Sequence, residues 1–328
     1  MNDGGQDWNF LVRAITQAQK GVGHTRPNPP VGAVIVKGGE VVADGYHHRC
    51  GMPHAEVEAI AAAKKENIDI VGATMYVTLE PCSTQGRVGA CTDAIIAAGI
   101  KDVIYGWEDP NPVNRGKAEK ALAAAGVKCR RFSLQSREAQ CVGTMLEKLY
   151  APFTKLVTKG LPYITVKMAM SLDGKTVDDY GNAKWISSEA ARRKTDAFRH
   201  AVDAIMVGAE TVRRDDPLLL PHFDGPNDDL IRVVISRSGK LPEKARVFTE
   251  GKNQTLVFDD LEKALGELAK LGCLHVLCEG GRKLAVELAE KRFVDQWITV
   301  LAPKVIGNRA ITEAVEIKDA SCLEDCGG

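Results

Sequence analysis

The chain has 328 residues, enough for two domains of ordinary size, and 45% of them are hydrophobic. Its 43 basic and 43 acidic side chains give a formal net charge of zero, which argues against an electrostatic nucleic-acid binder. We therefore expect a small-molecule substrate and no nucleic-acid partner. We also expect no membrane partner, and a homo-oligomer.

The N-terminus and the cysteines indicate the compartment. The first residues are polar and acidic, without a basic-then-apolar signal segment, and no apolar run is long enough to span a bilayer. Nine cysteines, an odd number in a long chain, argue against a disulfide framework. The sequence therefore predicts a cytoplasmic protein whose cysteines bind metal or are free thiols, buried or partly exposed.

Helix and strand patterns alternate in the first half, which predicts an α/β domain with helices on both faces of a sheet. Strands are predicted over 31–36 and 40–46, as a hairpin, and over 74–79, 102–106 and 127–131. Helices are predicted over 8–20, 54–65, 91–98, 117–125 and 138–149, the last ending at Ala151-Pro152.

A linker is predicted over 156–161, and the chain is divided into domains 1–150 and 151–328. In the second domain, strands are predicted over 163–168, 204–207, 232–236, 255–258 and 274–277, and helices over 185–201 and 283–291. No Gly-x-Gly-x-x-Gly fingerprint is present, which disfavours the standard dinucleotide fold. Gly280-Gly281 between a strand and a helix can cradle a phosphate, or can simply form a tight turn.

Residues of metal-ligand type recur in the first half at His54, Cys82 and Cys91. One imidazole and two thiolates fill three corners of a tetrahedral zinc site, and a catalytic zinc keeps the fourth corner for water. His-x-Glu followed by Pro-Cys and a further Cys is the signature of zinc deaminases that act on nucleobases. We predict these three residues as zinc ligands and Glu56 as the general acid–base.

A structural zinc site, or a buried histidine beside two unrelated thiols, is the alternative. A structural zinc needs a fourth protein ligand, and His47 and His48 are the nearest candidates. The Glu two residues after His54 and the Pro before Cys82 weigh against this interpretation.

The surroundings of the zinc motif closely resemble the deaminase half of the bifunctional riboflavin biosynthesis deaminase/reductase family. The matching stretches are Asn28-Pro29-Pro30-Val31-Gly32, Gly45-Tyr46-His47, Pro53-His54-Ala55-Glu56, Leu79-Glu80-Pro81-Cys82-Ser83, Gly86-Arg87, Cys91 and Asp109-Pro110-Asn111-Pro112. The resemblance implies a cytidine-deaminase-like three-layer α/β/α fold. It also implies deamination of 2,5-diamino-6-ribosylamino-4(3H)-pyrimidinone 5′-phosphate, with Asn28 and Arg87 contacting this substrate. Thr84 departs from the family, which has His there, and Val88-Gly89-Ala90 replaces its Thr-Pro-Pro.

The second half resembles the reductase half of the same family. The matching positions are Lys167, Ser171-Leu172-Asp173-Gly174, Trp185-Ile186-Ser187, Val207-Gly208, Thr211, Asp215-Asp216-Pro217, Glu279-Gly280-Gly281 and Leu301-Ala302-Pro303-Lys304. The resemblance implies a dihydrofolate-reductase-like α/β fold and NADPH-dependent reduction of the ribosyl group to ribityl. It implies an NADPH site lined by Ala169, Trp185, Thr211, Asp215, Ser236, Gly280 and Gly281. The residues implied to face the substrate are Arg199, Leu219 and Glu279.

Departures from the family are heavier in this half. Ala183 stands where the family has Ser or Thr, and Leu220 and His222 stand where it has Thr and Arg. The family also carries a further C-terminal strand, so we expect an incomplete sheet edge. The first hypothesis is a bifunctional enzyme, deaminase then reductase, on one chain. These departures point to an alternative, a deaminase whose degenerate reductase domain is retained for packing or oligomer contacts. A non-catalytic binding protein is a third reading, against which the intact zinc motif argues.

Overall fold

The fold is that of a computed structural model, which describes residues 7–84, 89–176, 188–223, 225, 227–303 and 305–306. Arg87, Ala183, Trp185 and the C-terminal segment after residue 306 lie outside the described residues. The described strands form two separate sheets, one in each half of the chain. No described helix is long and apolar enough to cross a membrane.

The first sheet has the strand order β2-β1-β3-β4-β5. Its strands are β1 (Gly32–Lys37), β2 (Glu40–Tyr46), β3 (Thr74–Leu79), β4 (Asp102–Trp107) and β5 (Lys128–Arg131). β1 is antiparallel to β2 and β3, whereas β3, β4 and β5 are parallel. All five strands and the hairpin that the sequence predicts in this half are confirmed.

Helices cover both faces of this sheet, namely α1 (Asp7–Gln19), α2 (Ala55–Lys65), α3 (Cys91–Ala97), α4 (Ala118–Ala124) and α5 (Arg137–Lys159). Successive side chains of a strand point to opposite faces, so Ala33 and Ile35 pack with α2, α3 and α4. Val34 and Val36 pack with α1 and α5 on the other face. The three-layer α/β/α arrangement that the resemblance implied is therefore present.

Helix α5 is longer than the sequence predicts. The helix was expected to end before Pro152, but it continues through this proline to Lys159, and Gly160 ends it with φ 66°. Its buried face continues past the proline, with Tyr150 and Phe153 both in the core, so tertiary burial outweighs the lost hydrogen bond. The predicted linker over 156–161 is wrong for that reason. The domain division at 150/151 falls within this helix and stays a prediction.

The second sheet is parallel throughout, in the order β11-β6-β10-β7-β8-β9. Its strands are β6 (Tyr163–Ser171), β7 (Ala204–Gly208), β8 (Ile231–Ile235), β9 (Thr255–Phe258), β10 (His275–Cys278) and β11 (Gln296–Ala302). Alternate residues of β8 again enter two clusters, one on each face. The sequence reasoning did not predict β11, whose side chains alternate between exposed and half-buried.

Five helices accompany this sheet in the described residues, namely α6 (Glu189–His200), α7 (Ala209–Asp215), α8 (Arg246–Thr249), α9 (Leu261–Lys270) and α10 (Arg282–Glu290). Ser188 caps α6, because its side chain accepts a hydrogen bond from the Ala191 N–H. Helices α7, α8 and α9 were not predicted. The signal for α9 was present, since Asp260 caps it and Leu261, Leu265 and Leu268 are buried.

Candidate active sites

The predicted zinc ligands converge at one point of the first domain. His54 directly precedes α2, Cys82 follows β3, and Cys91 begins α3. His54 Nδ1 lies 3.2 Å from Cys91 Sγ and 3.5 Å from Cys82 Sγ. Zinc bonds of about 2.1 Å to nitrogen and about 2.3 Å to sulfur put such atoms about 3.6 Å apart in a tetrahedron. The three residues therefore fit zinc, and within the described residues they are the only such cluster.

Backbone and side-chain hydrogen bonds prepare Cys82 as a thiolate. The Cys91 N–H, at the N-terminus of α3, donates to Cys82 Sγ at 3.4 Å. Hydrogen bonds from the Cys91 side chain and then from His54 lower the pKa of Cys82 to about 4, although burial opposes this shift. A thiolate is the form that zinc binds.

Glu56 lies beside this cluster and is buried from solvent. It is the second residue of α2, only 3% exposed, and in hydrogen-bond contact with the Cys91 thiol. Burial raises the pKa of its carboxyl group to about 7. A carboxyl group with such a pKa can accept and return a proton near neutral pH.

His47 does not serve as a fourth ligand. Its Nδ1 donates to the Pro53 carbonyl at 3.0 Å, and its Nε2 accepts from the Asn28 amide at 3.1 Å. Burial lowers the pKa of His47, so the ring is neutral and both nitrogens are used. Among the described residues the cluster has three side chains of zinc-ligand type, which fits a catalytic zinc site better than a structural one.

Glu80 is a buried carboxylate that binds the next loop and was not predicted as a functional residue. It is 2% exposed and accepts hydrogen bonds from the N–H groups of Asp109, Gly116 and Ala118 at 3.1–3.3 Å. The Ala118 N–H begins α4, where a negative charge is favoured. Glu80 lies two residues before Cys82, so its position in the Leu-Glu-Pro-Cys run was the available signal.

Thr84 and Asn114 connect this loop to the segment that follows Cys82. The Thr84 hydroxyl donates to Asn114 Oδ1 at 2.9 Å. The Asn114 amide donates in turn to Asp109 Oδ2 at 3.0 Å. Thr84, the departure from the family pattern, is thus held in a hydrogen-bonded chain. Arg87, the other predicted substrate residue nearby, lies outside the described residues.

In the second domain the predicted cofactor residues gather at one edge of the parallel sheet. Ser236 follows β8, Gly280 and Gly281 lie between β10 and α10, and Thr211 lies in α7 after β7. Ligands of open α/β sheets bind outside the carboxyl ends of the strands, which is this edge. Ala169 lies near the end of β6 and Asp215 ends α7, whereas Trp185 is not among the described residues.

The local structure at this edge suits a nucleotide. A Cβ atom on Gly280 would lie 3.1 Å from Thr211 Oγ1, and one on Gly281 would lie 3.6 Å from the same atom. Gly281 has φ 77° and immediately precedes α10, whose first N–H groups are available to a phosphate. The Ser236 hydroxyl is buried and has no hydrogen-bond partner among the described residues. A bound group would satisfy this hydroxyl.

The three predicted substrate-facing residues of this half are also brought together. Arg199 pairs with Glu279 through two hydrogen bonds, of 3.0 Å and 2.6 Å. Its third nitrogen donates to the Leu220 carbonyl at 2.8 Å, next to the buried Leu219. Burial is the largest single effect and raises the pKa of Glu279, but the charge and hydrogen bonds of Arg199, with smaller effects of Lys167 and His222, together lower it. The positive charge of Arg199 and the negative charge of Glu279 are therefore held side by side in fixed positions.

Fold and sites together define a class: a zinc-type deaminase domain followed by a nucleotide-dependent reductase domain. The family described as cytidine and deoxycytidylate deaminase zinc-binding region matches residues 5–107, and the RibD C-terminal domain matches residues 162–325. The riboflavin biosynthesis protein RibD of Aquifex aeolicus is 33% identical, covering 95% of this chain and 94% of that protein. The RibD protein of Escherichia coli is 36% identical, covering 93% and 90%.

A solved structure agrees over both domains. The diaminohydroxyphosphoribosylaminopyrimidine deaminase/5-amino-6-(5-phosphoribosylamino)uracil reductase of Thermotoga maritima is 35% identical with a TM-score of 0.84, covering 92% of this chain and 88% of that one. The chain belongs to the RibD family of riboflavin biosynthesis proteins. It is a bifunctional enzyme that combines a deaminase and a reductase.

Proposed function

We propose that this enzyme deaminates 2,5-diamino-6-ribosylamino-4(3H)-pyrimidinone 5′-phosphate and then reduces its ribosyl group to ribityl with NADPH. The observation that carries the first step is the meeting of His54, Cys82 and Cys91 beside the buried Glu56. The domain order and the name of the Thermotoga maritima relative support the second. We also propose, from the sequence, that it acts in the cytoplasm as a homo-oligomer.

In deamination, His54, Cys82 and Cys91 would hold a zinc ion, which when bound would activate the water that attacks the amino-bearing ring carbon. Glu56 accepts one proton of that water and passes it to the ring nitrogen, then accepts the remaining hydroxyl proton and passes it to the departing amine. Asn28, oriented by neutral His47, and Arg87 bind the substrate. Burial keeps competing water away from the Glu56 carboxylate.

In reduction, NADPH when bound would supply a hydride to the ring-opened imine form of the ribosylamine, and a proton from solvent on its nitrogen would complete the ribityl amine. Gly280, Gly281 and Thr211 would hold its phosphates, and the Ser236 hydroxyl, which has no partner among the described residues, would gain one. Ala169, Trp185 and Asp215 complete the cofactor site. The Arg199–Glu279 pair and Leu219 face the substrate.

The test is to incubate the purified protein with the diaminopyrimidine ribosyl phosphate and NADPH, and to separate the products by mass. A deaminated ribityl product supports both steps. A deaminated product with the ribosyl group intact would contradict the proposed reduction. No turnover with zinc bound would contradict the proposed substrate.

A further inference from the structure

The contact between the two domains lies directly beside the proposed pyrimidine site. The Asn28 N–H donates to the Thr25 carbonyl at 2.9 Å, which closes a turn with Arg26 and Pro27 at its corners. Thr25 is 2% exposed, so the base of the turn is fixed in the deaminase domain. Whatever holds the corners of this turn therefore sets the position of Asn28.

The reductase domain holds both corners. Arg26 Nη2 donates to the Asp229 carbonyl at 3.0 Å, and Nη1 donates to the Leu271 carbonyl at 3.4 Å. Pro27 packs so closely against Gly272 that a Cβ atom there would lie 2.6 Å from Pro27 Cβ. The guanidinium thus joins two loops of one domain to the turn of the other.

A second link reaches the partner of Asn28. Arg49 Nη2 lies 2.8 Å from Asp229 Oδ2, and Arg49 is two residues after His47. His47 accepts from Asn28 and donates to the carbonyl of Pro53, the residue before the zinc ligand His54. Both ends of the Asn28–His47 hydrogen bond are therefore tied to the loop that contains Asp229.

The contacts of Arg26 are separated from the predicted cofactor residues of the reductase domain. Asp229 precedes β8, and Leu271 precedes β10, so both lie at the amino edge of the parallel sheet. Ser236 and Gly280 follow the same strands at the opposite edge. Five residues of extended strand span about 16 Å, so a change at Arg26 leaves the cofactor residues in place.

We propose that Arg26 is a positioning residue for deamination. Through its hydrogen bonds to the amino edge of the reductase sheet, Arg26 holds Asn28 and His47 in place at the pyrimidine site. The inference rests on the proposed role of Asn28 in binding the substrate. It gives the reductase domain a second role, in the reaction catalysed by the other domain. Arg26 itself touches neither substrate nor zinc.

The test uses the full chain with Arg26→Met, which keeps the apolar stem and removes the guanidinium. Deamination is measured without the nicotinamide cofactor, reduction is measured on the deaminated substrate supplied directly, and zinc content is determined. We expect the KM of deamination to rise about tenfold with kcat within about twofold, because a small displacement of a binding group weakens substrate positioning. Reduction and zinc content should be unchanged.

Two further variants sharpen the comparison. Arg26→Lys retains a donor for the two carbonyls and should restore part of the KM. Arg13→Met is the matched control, since Arg13 pairs with Asp44 at 2.7 Å on the deaminase surface away from the domain contact. The reduction rate of each variant shows whether the protein is folded. Arg26→Gln is a second, independent variant that lacks the guanidinium.

An unchanged KM in both Arg26→Met and Arg26→Gln overturns the inference. Equal losses of deamination and reduction, or loss of zinc, also overturn it, because they indicate a purely structural role. A parent protein that binds zinc but does not deaminate the substrate overturns the proposed function, and the inference with it. If the parent protein deaminates the substrate and the Arg26 variants keep its KM, only the inference is overturned and the proposed function stands.

Discussion

Burial determines what a single carboxyl group can do at Glu56. A carboxyl group in water releases its proton near pH 4 and is a weak base at neutral pH. Glu56 is 3% exposed at the start of α2, and burial raises its pKa to about 7. The side chain therefore has the proton affinity that a transfer between water and a ring nitrogen requires.

Glu56→Gln should retain zinc and lower the kcat of deamination by about 10²–10⁴, because an amide cannot accept the proton of water. Elemental analysis and product formation measure the two properties. Glu58→Gln, on the same helix, is the matched control and should keep the parent activity. Loss of zinc from Glu56→Gln would show that this carboxylate is a ligand.

Deamination should fall as the pH drops through the pKa of Glu56, because the protonated form is no longer a base. Burial raises that pKa to about 7, and the charge of a nearby zinc ion lowers it, so we expect the acidic limb below pH 7. The measurement is kcat/KM between about pH 4.5 and about pH 8. The same limb persisting in the residual activity of Glu56→Gln would assign it to another group.

At the scale of elements, two loops at the carboxyl ends of β3 and β4 form one hydrogen-bonded unit around the zinc cluster. Glu80 binds the backbone of the second loop and the first N–H of α4. Thr84 and Asn114 close the same unit from the other side. Replacement of the family histidine by Thr84 therefore leaves this segment anchored.

Glu80→Gln should lower the free energy of unfolding of the deaminase domain by about 1–3 kcal/mol, because one acceptor becomes an NH₂ group that faces N–H donors. Thermal unfolding with zinc release as the signal measures this change. The control is Glu66→Gln, at the exposed C-terminal end of α2. Equal melting temperatures for the two variants would contradict the role of Glu80.

Thr84→Val keeps the shape of the side chain and removes its hydroxyl. The loss of one hydrogen bond should raise the KM of deamination by about threefold to tenfold. Thr84→Ser keeps the hydroxyl and should stay close to the parent enzyme. Identical kinetics for the valine and serine variants would show that the bond to Asn114 does not matter for the substrate.

At the scale of the whole molecule, parallel pairing collects residues that are far apart in sequence. Thr211, Ser236 and Gly280 each follow a different strand, and all three lie at one edge because every described strand of this sheet runs the same way. The opposite edge is free to hold the deaminase domain at Arg26. One sheet thus carries the predicted cofactor residues at one edge and the contact with Arg26 at the other.

Gly280→Ala should raise the KM for the nicotinamide cofactor about tenfold, because the new methyl group would lie 3.1–3.2 Å from Thr211 and occupy the phosphate side of the site. Deamination should be unaffected. Gly266→Ala in α9 is the control, since a Cβ atom there meets nothing within 4 Å. An unchanged KM for the cofactor would show that the cofactor does not bind against this turn.

The sequence by itself determined the elements and the chemistry of the first domain. Apolar runs and alternation are local properties, so β1 and β3 were predicted with nearly the bounds that they have. The zinc motif could also be predicted from the sequence, because His54, Glu56 and Cys82 have fixed local spacings at the ends of elements. Only α5 was misjudged, since the burial that carries it past Pro152 is a tertiary effect.

Tertiary structure alone decided which distant groups meet. No local pattern indicates that Glu80 binds the N–H of Ala118, that His47 bridges Asn28 and Pro53, or that Arg26 reaches Asp229. These hydrogen bonds depend on the order and direction of strands, which a single sequence leaves open. The sequence does not show whether a polar side chain is solvated or buried. Its hydrogen-bond partner can be identified only from the structure, in which the sheet brings the two residues together.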